Sequence, residues 1–311
     1  MMYFAGLDGG QSSTTAVIAG SNGRILARGV GPPADEVAQG PDSTRLRDAL
    51  AAALADATEN AGLDRGATFA AIVAGVSGYE GRVFGCEPVL PSEHVALVHD
   101  SVIAHAGALE GAPGVVVIAG TGSVGYAVNG AGLGARVGGW GYLFGDEGSA
   151  FWLARSALGA IMSDSEGHEP SSLAKTALEH FKRPSLRSLA RAYYAGEISR
   201  HELAAFAVSL VAAAARGDAE GVYWVREAAE QLALLEYAAA GRAGLAEHDA
   251  AFVGGLMREP IVRERVARSV RQISPQARIV EAKHDAAVGA LLLAYREAGV
   301  AEPPTIAGGA P

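Results

Sequence analysis

The order of apolar and polar stretches predicts an α/β chain that begins with an antiparallel β-meander. Apolar runs at 3–7, 14–19 and 25–30 are separated by turns rich in glycine, serine and asparagine, which is typical of short strands. Leu46, Leu50 and Leu54 recur every four residues among charged side chains and predict an amphipathic helix over 42–61, with Asp42 or Ser43 as its N-cap. Buried strands follow at 69–76 and 95–98, and then a helix at 102–109.

The same order of strands begins again near residue 115. Strands are predicted at 115–119 and 124–128 and around residues 136–137, so the meander is duplicated. Residues 148–244 are rich in alanine and leucine at helical spacing and predict a helical insertion. The expected breaks in this insertion are Pro170, Pro184, Gly196 and Gly217. A strand at 250–253, a helix at 257–271, a strand at 278–281 and a helix at 285–298 complete the prediction.

These patterns predict two domains with a large core to share between them. The first covers residues 1–113, and the second covers 114–290 with the helical insertion at about 148–244. Residues 291–311 are expected to form a terminal helix that packs back on the first domain, followed by a flexible tail from residue 303.

Composition narrows the range of functions. The 311 residues carry 25 Lys and Arg against 34 Asp and Glu, a net charge of −9, which disfavours non-specific binding to nucleic acid or to an anionic membrane. Cys86 is the single cysteine, so no disulfide can form within the chain, and no apolar run approaches the ~20 residues that span a bilayer. We therefore expect a cytoplasmic protein with small-molecule partners, and a homodimer remains an open expectation.

Two glycine-rich turns are candidates for phosphate binding. Each follows a predicted strand, and glycine lets backbone N–H groups approach an anion closely. Neither has the pattern of a Walker loop or of a dinucleotide fingerprint. Either turn alone could be an ordinary hairpin, but their equivalent positions in the repeat favour a shared role. The turns comprise Gly9, Gly10, Gln11, Ser12 and Ser13, and Gly120, Thr121 and Gly122.

Two acidic residues stand at the ends of predicted strands. Asp8 comes directly before the first glycine turn, where a carboxylate can hold Mg²⁺ beside bound phosphates or, alternatively, cap the turn. Asp100 follows the strand at 95–98, where it can take a proton from an attacking hydroxyl or cap the next helix. Position alone does not choose between these roles.

Residues 137–150 are the most informative stretch of the chain. They include five glycines, three aromatic residues and the adjacent acids Asp146 and Glu147. This composition predicts a binding loop that leads into a helix, in which Trp140 offers an apolar ring to a sugar and an acid accepts sugar hydroxyls. The alternative is an acidic, aromatic surface loop.

Together, these motifs resemble those of the BadF/BadG/BcrA/BcrD ATPase family, and within it the N-acetylglucosamine kinases. The resemblance covers nearly the whole chain and implies two actin-like (ribonuclease H-like), hexokinase-type α/β domains that use ATP and Mg²⁺. We expect transfer of phosphate to the 6-hydroxyl of an amino sugar, with N-acetylglucosamine as the first candidate. The motifs are LDGGQSST at Leu7–Thr14, HDS at His99–Ser101, AGTGS at Ala119–Ser123, GGWGYLFGDEGSAFW at Gly138–Trp152 and FVGG at Phe252–Gly255.

The resemblance also implies roles for single residues. Asp8 matches the metal-binding position, Asp100 matches the catalytic base, and Gly254 with Gly255 matches the turn that packs on adenosine. The two glycine turns match the phosphate sites. The residues expected to bind the sugar are Asp35, Ser77, Gly78, Asp100, Gly139, Trp140, Gly141, Tyr142 and Asp146.

Two positions depart from the family pattern. Gln11 stands where the first turn usually has a third glycine, so its side chain could narrow the turn or contact phosphate. Asp35 aligns approximately with a sugar-contacting asparagine of the kinases. Glucosamine and N-acetylmuramic acid therefore remain open as substrates beside N-acetylglucosamine.

Two alternatives come from other functional classes. The dehydratase-activating ATPases of the same family hold an iron–sulfur cluster between two subunits, and such a cluster needs four thiolates. One cysteine per chain supplies two in a dimer, which disfavours that function. A non-catalytic sugar sensor would not need both Asp8 and Asp100, and both are present.

Overall fold

The computed structural model describes residues 2–35, 40–165 and 171–307. Contacts divide the chain into two compact units, which we call unit 1 (Met1–Pro113 with Glu281–Pro311) and unit 2 (Gly114–Val280). The sequence placed the end of the second domain at residue 290, whereas contacts place the return to unit 1 at Glu281. The reason is that the backbone amides of Lys283 and His284 already donate to carbonyls of Ala108 and Gly107.

Ten strands and nine α-helices form in the described part of the chain. Most lie within a few residues of the predicted positions. In chain order they are β1 (Tyr3–Gly9), β2 (Thr14–Gly20), β3 (Ile25–Gly31), α1 (Arg45–Asn60), β4 (Ala71–Val76), β5 (Val95–His99), α2 (Asp100–Leu109), β6 (Gly114–Ala119), β7 (Ser123–Val128), β8 (Gly134–Gly138), α3 (Ala150–Asp164), α4 (Ser172–Phe181), α5 (Leu186–Tyr194), α6 (Arg200–Ala215), α7 (Ala219–Ala243), β9 (His248–Val253), α8 (Pro260–Ile273), β10 (Ala277–Ile279) and α9 (Ala286–Glu297).

The two units repeat one sheet topology. The strand order is β3-β2-β1-β4-β5 in unit 1 and β8-β7-β6-β9-β10 in unit 2. In each sheet the first three strands are antiparallel, and the last two run parallel to the first. The duplicated meander and the α/β fold class are therefore confirmed.

Helices cover both faces of the unit 1 sheet because the residues of β1 alternate between them. Ala5 and Leu7 belong to the core under α1, and Phe4 belongs to the core under α9. Gly6 faces α9 so closely that a Cβ there would lie 2.2 Å from the backbone nitrogen of Leu291. This glycine allows the last helix of the chain to pack directly on the first strand.

The helical insertion of unit 2 consists of α3 to α7. Its buried residues share one core with β6 and α8, so the insertion is part of the unit rather than an appendage. Breaks occur at the predicted Pro184, Gly196 and Gly217, and Pro170 lies outside the described residues. Among the described helices, none is both long and apolar enough to cross a membrane.

Two local predictions are wrong. Thr44 is the N-cap of α1 and makes no side-chain cap bond, while Ser43 accepts a bond from the amide of Arg45 at 3.2 Å. The helix expected from residue 257 is divided into a 3-10 turn at Gly255–Arg258 and α8. Pro260 causes the division, since proline has no N–H to continue a helix but is well suited to its first turn.

Candidate active site residues

Several predicted site residues of unit 1 follow parallel strands at one edge of the sheet. β1, β4 and β5 are adjacent and parallel, with Asp8 opposite Gly75 and Val76 opposite His99. The carboxyl ends of these strands therefore align. Ser77 follows β4 and Asp100 follows β5, so the register brings both to the edge at which β1 ends with Asp8 and Gly9.

The first glycine turn is tied to its neighbours on both sides. The amide of Gly10 donates to the carbonyl of Ser13 at 3.0 Å and closes the turn. The amide of Ser77 donates to Gly9, and the amide of Ala34 donates to Gly10, each at 3.0 Å. Gln11 donates from Nε2 to Oγ of Ser77 at 3.4 Å, so this departure from the family pattern links the turn to β4.

Asp8 lies in a negative environment that suits a cation. Burial, together with the nearby charges of Asp100 and Asp285, raises the pKa of Asp8 to about 7. A bound Mg²⁺ would offset this cost, and Mg²⁺ commonly uses one or two carboxylates together with water and phosphate oxygens. No group of three or more acidic, histidine or cysteine side chains among the described residues could enclose a metal by itself. Asp8 thus fits a metal that also binds a phosphate.

Asp100 is the first residue of α2, and its N-cap is His99 rather than Asp100 itself. His99 Nδ1 accepts from the amide of Ser101 at 3.2 Å, so capping is already performed by the imidazole. Among the described residues, Oδ1 of Asp100 has no hydrogen-bond partner, although it lies 2.8 Å from His99 Nδ1. Oδ1 is buried, whereas the side chain as a whole is 20 % exposed, so a ligand would reach the carboxylate through its exposed part.

Asp35 is held by an arginine that the sequence did not single out. Nη2 of Arg45, on the first turn of α1, lies 3.0 Å from Oδ1 of Asp35. Both side chains are partly exposed. The bond from Ala34 to Gly10 places this ion pair next to the first glycine turn.

The second glycine turn supports the start of α3. The amide of Gly120 donates to Gly122 at 3.0 Å, while the carbonyls of Gly120 and Thr121 accept from Ala150 and Phe151 at 2.9 and 3.3 Å. Ser123 donates from Oγ to the carbonyl of Glu147 at 2.8 Å. The turn and the segment before α3 thus form one bonded structure.

Asp146 is buried against this turn. Its backbone is left-handed, with φ of 60°, and its side chain is 5 % exposed. Oδ1 accepts from the amide of Ser123 at 3.3 Å, and Oδ2 lies 3.6 Å from Nη2 of Arg200. A Cβ on Gly122 would approach the Asp146 carboxylate to 2.8 Å, so the carboxylate could lie in its present position only beside a glycine. The carboxylate has these partners within unit 2, and its role as an acceptor for sugar hydroxyls stays a prediction.

The aromatic residues of the loop at 139–145 have different environments. Trp140 is 76 % exposed and can offer its ring to a ligand. Tyr142 instead packs edge-on against Phe151, with ring centroids 5.2 Å apart. Amides of Phe144 and Gly145 donate to the carbonyl of Gly141 at 3.2 and 2.8 Å, which folds the loop into a turn.

The FVGG motif packs on the second glycine turn. Gly254 has φ of 106°, and a Cβ there would lie 2.5 Å from the carbonyl oxygen of Ala119. Gly255 starts the 3-10 turn, and a Cβ there would meet no atom within 4 Å. Unit 2 therefore contains the predicted phosphate turn and adenosine turn side by side.

Some residues beside these motifs were not predicted to belong to the site. Arg28 pairs with Asp285, with 2.7 Å between Nη1 and Oδ2, and Asp285 also caps α9 by accepting from Val288 at 2.9 Å. Their neighbours in the sequence show no motif. Ser199 and Glu202 form a capping box at the start of α6, but no local pattern connects Arg200 to Asp146.

The units define a class of protein: two α/β units of the same topology, each with a glycine turn after its first strand. A family model described as the BadF/BadG/BcrA/BcrD ATPase family matches residues 5–294. The chain belongs to this family. The two actin-like units predicted from the resemblance are therefore confirmed as its fold.

Characterised relatives and a solved structure agree with this assignment. The N-acetyl-D-glucosamine kinase of Dictyostelium discoideum is 26% identical over 94% of this chain and 97% of its own length. The N-acetylmuramic acid/N-acetylglucosamine kinase of Clostridium acetobutylicum is 29% identical over 65% of this chain and 68% of its own. A candidate N-acetylglucosamine kinase from Chromobacterium violaceum has a TM-score of 0.78 and 29% identity, covering 94% of this chain and 99% of that one.

Proposed function

We propose that this protein transfers the γ-phosphate of ATP to the 6-hydroxyl of an amino sugar, with N-acetylglucosamine as the first candidate. The observation that carries the proposal is the alignment of Asp8, the first glycine turn and Asp100 at one edge of the unit 1 sheet. The reaction class, an ATP-dependent sugar kinase, also follows from the family and from its kinase members. We assign the two units as the two domains of that kinase.

Each unit supplies a different part of the chemistry in this proposal. In unit 1, the turn Gly9–Ser13 binds phosphate and Asp8 holds Mg²⁺, which neutralises phosphate charge when it is bound. In unit 2, the turn Gly120–Gly122 binds phosphate, and Gly254 with Gly255 packs on the adenosine. Backbone amides and a metal suit this reaction, because phosphoryl transfer depends mainly on positioning and charge neutralisation.

Asp100 is the proposed base. The 6-hydroxyl oxygen attacks the γ-phosphorus, its proton passes to the carboxylate of Asp100, and the bond from phosphorus to the β-bridging oxygen breaks to release ADP. The support for this role is that Asp100 follows β5 at the edge of the sheet where β1 and β4 end, and that its side chain is 20 % exposed. Capping of α2 does not require Asp100, because His99 performs it.

The sugar-binding residues are proposed from both units. Trp140 offers an exposed apolar ring, and Gly139, Gly141 and Tyr142 shape its loop. In unit 1, Ser77 with Gly78 follows β4, and Asp35 lies beside the first glycine turn. We place N-acetylglucosamine before N-acetylmuramic acid and glucosamine because both curated relatives are named for it.

A panel of sugars tests the proposal. ADP release should require both Mg²⁺ and a sugar, with N-acetylglucosamine giving the highest kcat/KM among N-acetylglucosamine, N-acetylmuramic acid, glucosamine and glucose. Phosphorus NMR of the product should show coupling to the two protons on C6. ATP hydrolysis at one rate with and without every sugar would refute kinase activity, and coupling to a different carbon would refute only the 6-hydroxyl.

A further inference from the structure

Arg200 occupies a fixed position at the start of α6 in the helical insertion. Ser199 caps the helix by accepting from the amide of Glu202 at 3.2 Å, and Glu202 accepts from the amide of Ser199 at 2.8 Å. This reciprocal capping box sets the first helical residue. Arg200 is that residue, and its side chain is 29 % exposed.

Its guanidinium faces two groups of different chemistry. Nη2 lies 3.6 Å from Oδ2 of Asp146, which is an ion-pair distance longer than a direct hydrogen bond. The guanidinium carbon lies 4.6 Å from the ring centroid of Tyr142 and 5.7 Å from that of Phe151. A planar guanidinium can satisfy both, because it carries charge and stacks on aromatic faces.

The carboxylate partner belongs to the second glycine turn. Asp146 is buried and left-handed, and its other oxygen accepts from the amide of Ser123. A buried carboxylate is costly unless it is paired and hydrogen-bonded. Arg200 supplies the positive charge, and Gly122 allows the carboxylate to lie directly against the turn.

The aromatic partners belong to the loop at 139–145 and to α3. Tyr142 is 36 % exposed, about half as much as Trp140, and its ring lies edge-on to Phe151, the second residue of α3. Arg200 covers the same pair of rings. The guanidinium therefore holds Tyr142 in place within a loop whose Trp140 remains exposed.

We propose that Arg200 is a positioning residue that links the aromatic loop at 139–145 to the second glycine turn through Tyr142 and Asp146. Nucleotide binding at the turn then strengthens sugar binding at the loop, and the reverse also holds. The reason is that nucleotide fixes Asp146, sugar fixes Tyr142, and both residues contact the same guanidinium. The assignment of the two ligands rests on the proposed function. The positioning itself rests only on contacts within unit 2.

Three variants separate charge from stacking. Arg200→Met removes both, and Arg200→Lys keeps the charge near Asp146 but loses the planar contact with the rings. Arg183→Met is the matched control, since Arg183 also belongs to the insertion and pairs at 2.9 Å with a carboxylate, the exposed Glu197. Circular dichroism verifies folding, and Arg200→Lys serves alone if Arg200→Met does not fold.

Two measurements test the proposal. Hydrogen exchange should become faster over 138–147 in Arg200→Met, less so in Arg200→Lys, and stay unchanged in Arg183→Met. Calorimetry with a non-hydrolysable ATP analogue and N-acetylglucosamine should show that each tightens the other in the parent protein, and that this mutual effect disappears in Arg200→Met. The kcat/KM of that variant should fall by roughly ten- to a hundredfold, since a binding group misplaced by about 1 Å can cost that much.

If hydrogen exchange over 138–147 is as slow in Arg200→Met as in the parent protein, the positioning role is overturned. The coupling is overturned if nucleotide and sugar do not tighten each other's binding in the parent protein. It is also overturned if they still do so in Arg200→Met. A parent protein that binds no sugar would refute the proposed function instead, and the exchange measurement would still decide whether Arg200 positions the loop.

Discussion

Asp35 Oδ1 lies 3.0 Å from Nη2 of Arg45, and this pair adjoins the first glycine turn through the bond from Ala34 to Gly10. In this chain a cation therefore already orients the carboxylate of Asp35. We propose that a sugar hydroxyl donates to this carboxylate, whose side chain is 29 % exposed. This arrangement favours the role of Asp35 as an acceptor for hydroxyls over a role in binding an ammonium group.

We expect Asp35→Ala to raise KM for N-acetylglucosamine and for glucosamine by similar factors of about ten, the scale of one charge-assisted hydrogen bond. Asp35→Asn should be milder because its amide oxygen can still accept. Arg45→Met should also raise both sugar KM values, while KM for ATP changes little in all three. A large change in the kcat/KM ratio of the two sugars in Asp35→Asn would instead assign Asp35 to the group on C2.

Asp100→Asn tests the base. The amide keeps the size of the side chain but cannot take up a proton, so kcat should fall by ~10²–10⁴-fold. The affinity for an ATP analogue and the melting temperature should stay close to those of the parent, since His99 caps α2. Asp64→Asn is a control at an exposed position outside the site. A kcat of Asp100→Asn within a few-fold of the parent would exclude Asp100 as the base.

Asp8 should make stability depend on pH. Its folded pKa of about 7 lies above the ordinary value of 3.8, so the folded protein holds an extra proton between these values. The free energy of unfolding then decreases as pH rises through that window. Asp8→Asn has no such proton, so its melting temperature should exceed that of the parent by a margin that grows from about pH 5 to about pH 8. If the melting temperatures of the parent and of Asp8→Asn depend on pH in the same way, the raised pKa of Asp8 is contradicted.

The same titration should limit activity. Asp8 must be ionised to hold Mg²⁺, so kcat/KM should decline as pH falls below about 7. A higher Mg²⁺ concentration should move this decline to lower pH, because the metal competes with the proton. If the pH at which kcat/KM declines does not depend on the Mg²⁺ concentration, the decline is due to the titration of another group.

Gly254→Ala and Gly255→Ala should differ strongly. The first combines a strained left-handed backbone with a contact of 2.5 Å to the carbonyl of Ala119, so it should lower the melting temperature and ATP affinity together. The second places its methyl group in open space, so the fold should be unaffected and any loss of ATP affinity would report direct contact with the nucleotide. Equal melting temperatures for the two variants, measured by calorimetry, would contradict this account.

Breaking the buried pair of His248 and Glu236 should be strongly destabilising. His248 Nε2 lies 2.5 Å from Oε1 of Glu236, and both side chains are almost fully buried. His248→Ala leaves a buried carboxyl group without this partner and should lower the free energy of unfolding by about 3–5 kcal/mol. Arg278→Ala breaks a pair of similar length, 2.6 Å to Asp249, but an exposed one, so it should change little. Urea denaturation compares them, and equal losses would show that burial is not the deciding factor.

Local patterns in the sequence determined most of the fold. Alternating apolar runs and glycine-rich turns predicted the strands, and their recurrence after residue 114 predicted the repeated sheet, since strand period and turn chemistry act over a few residues. The glycine turns and the acids at strand ends were visible for the same reason. Helix starts were less certain, as at Thr44, because several polar residues in succession could each have served as the N-cap.

Tertiary structure alone decided what the charged side chains of the site do. Asp146 and Asp35 were both predicted to accept from a sugar, and no local pattern indicated that the first would be buried against Arg200 or that the second would pair with Arg45. Arg28 and Asp285 come from opposite ends of the chain. No periodicity records such pairs, because they depend on how α6, α1 and α9 pack, and that packing brings together residues that are distant in the sequence.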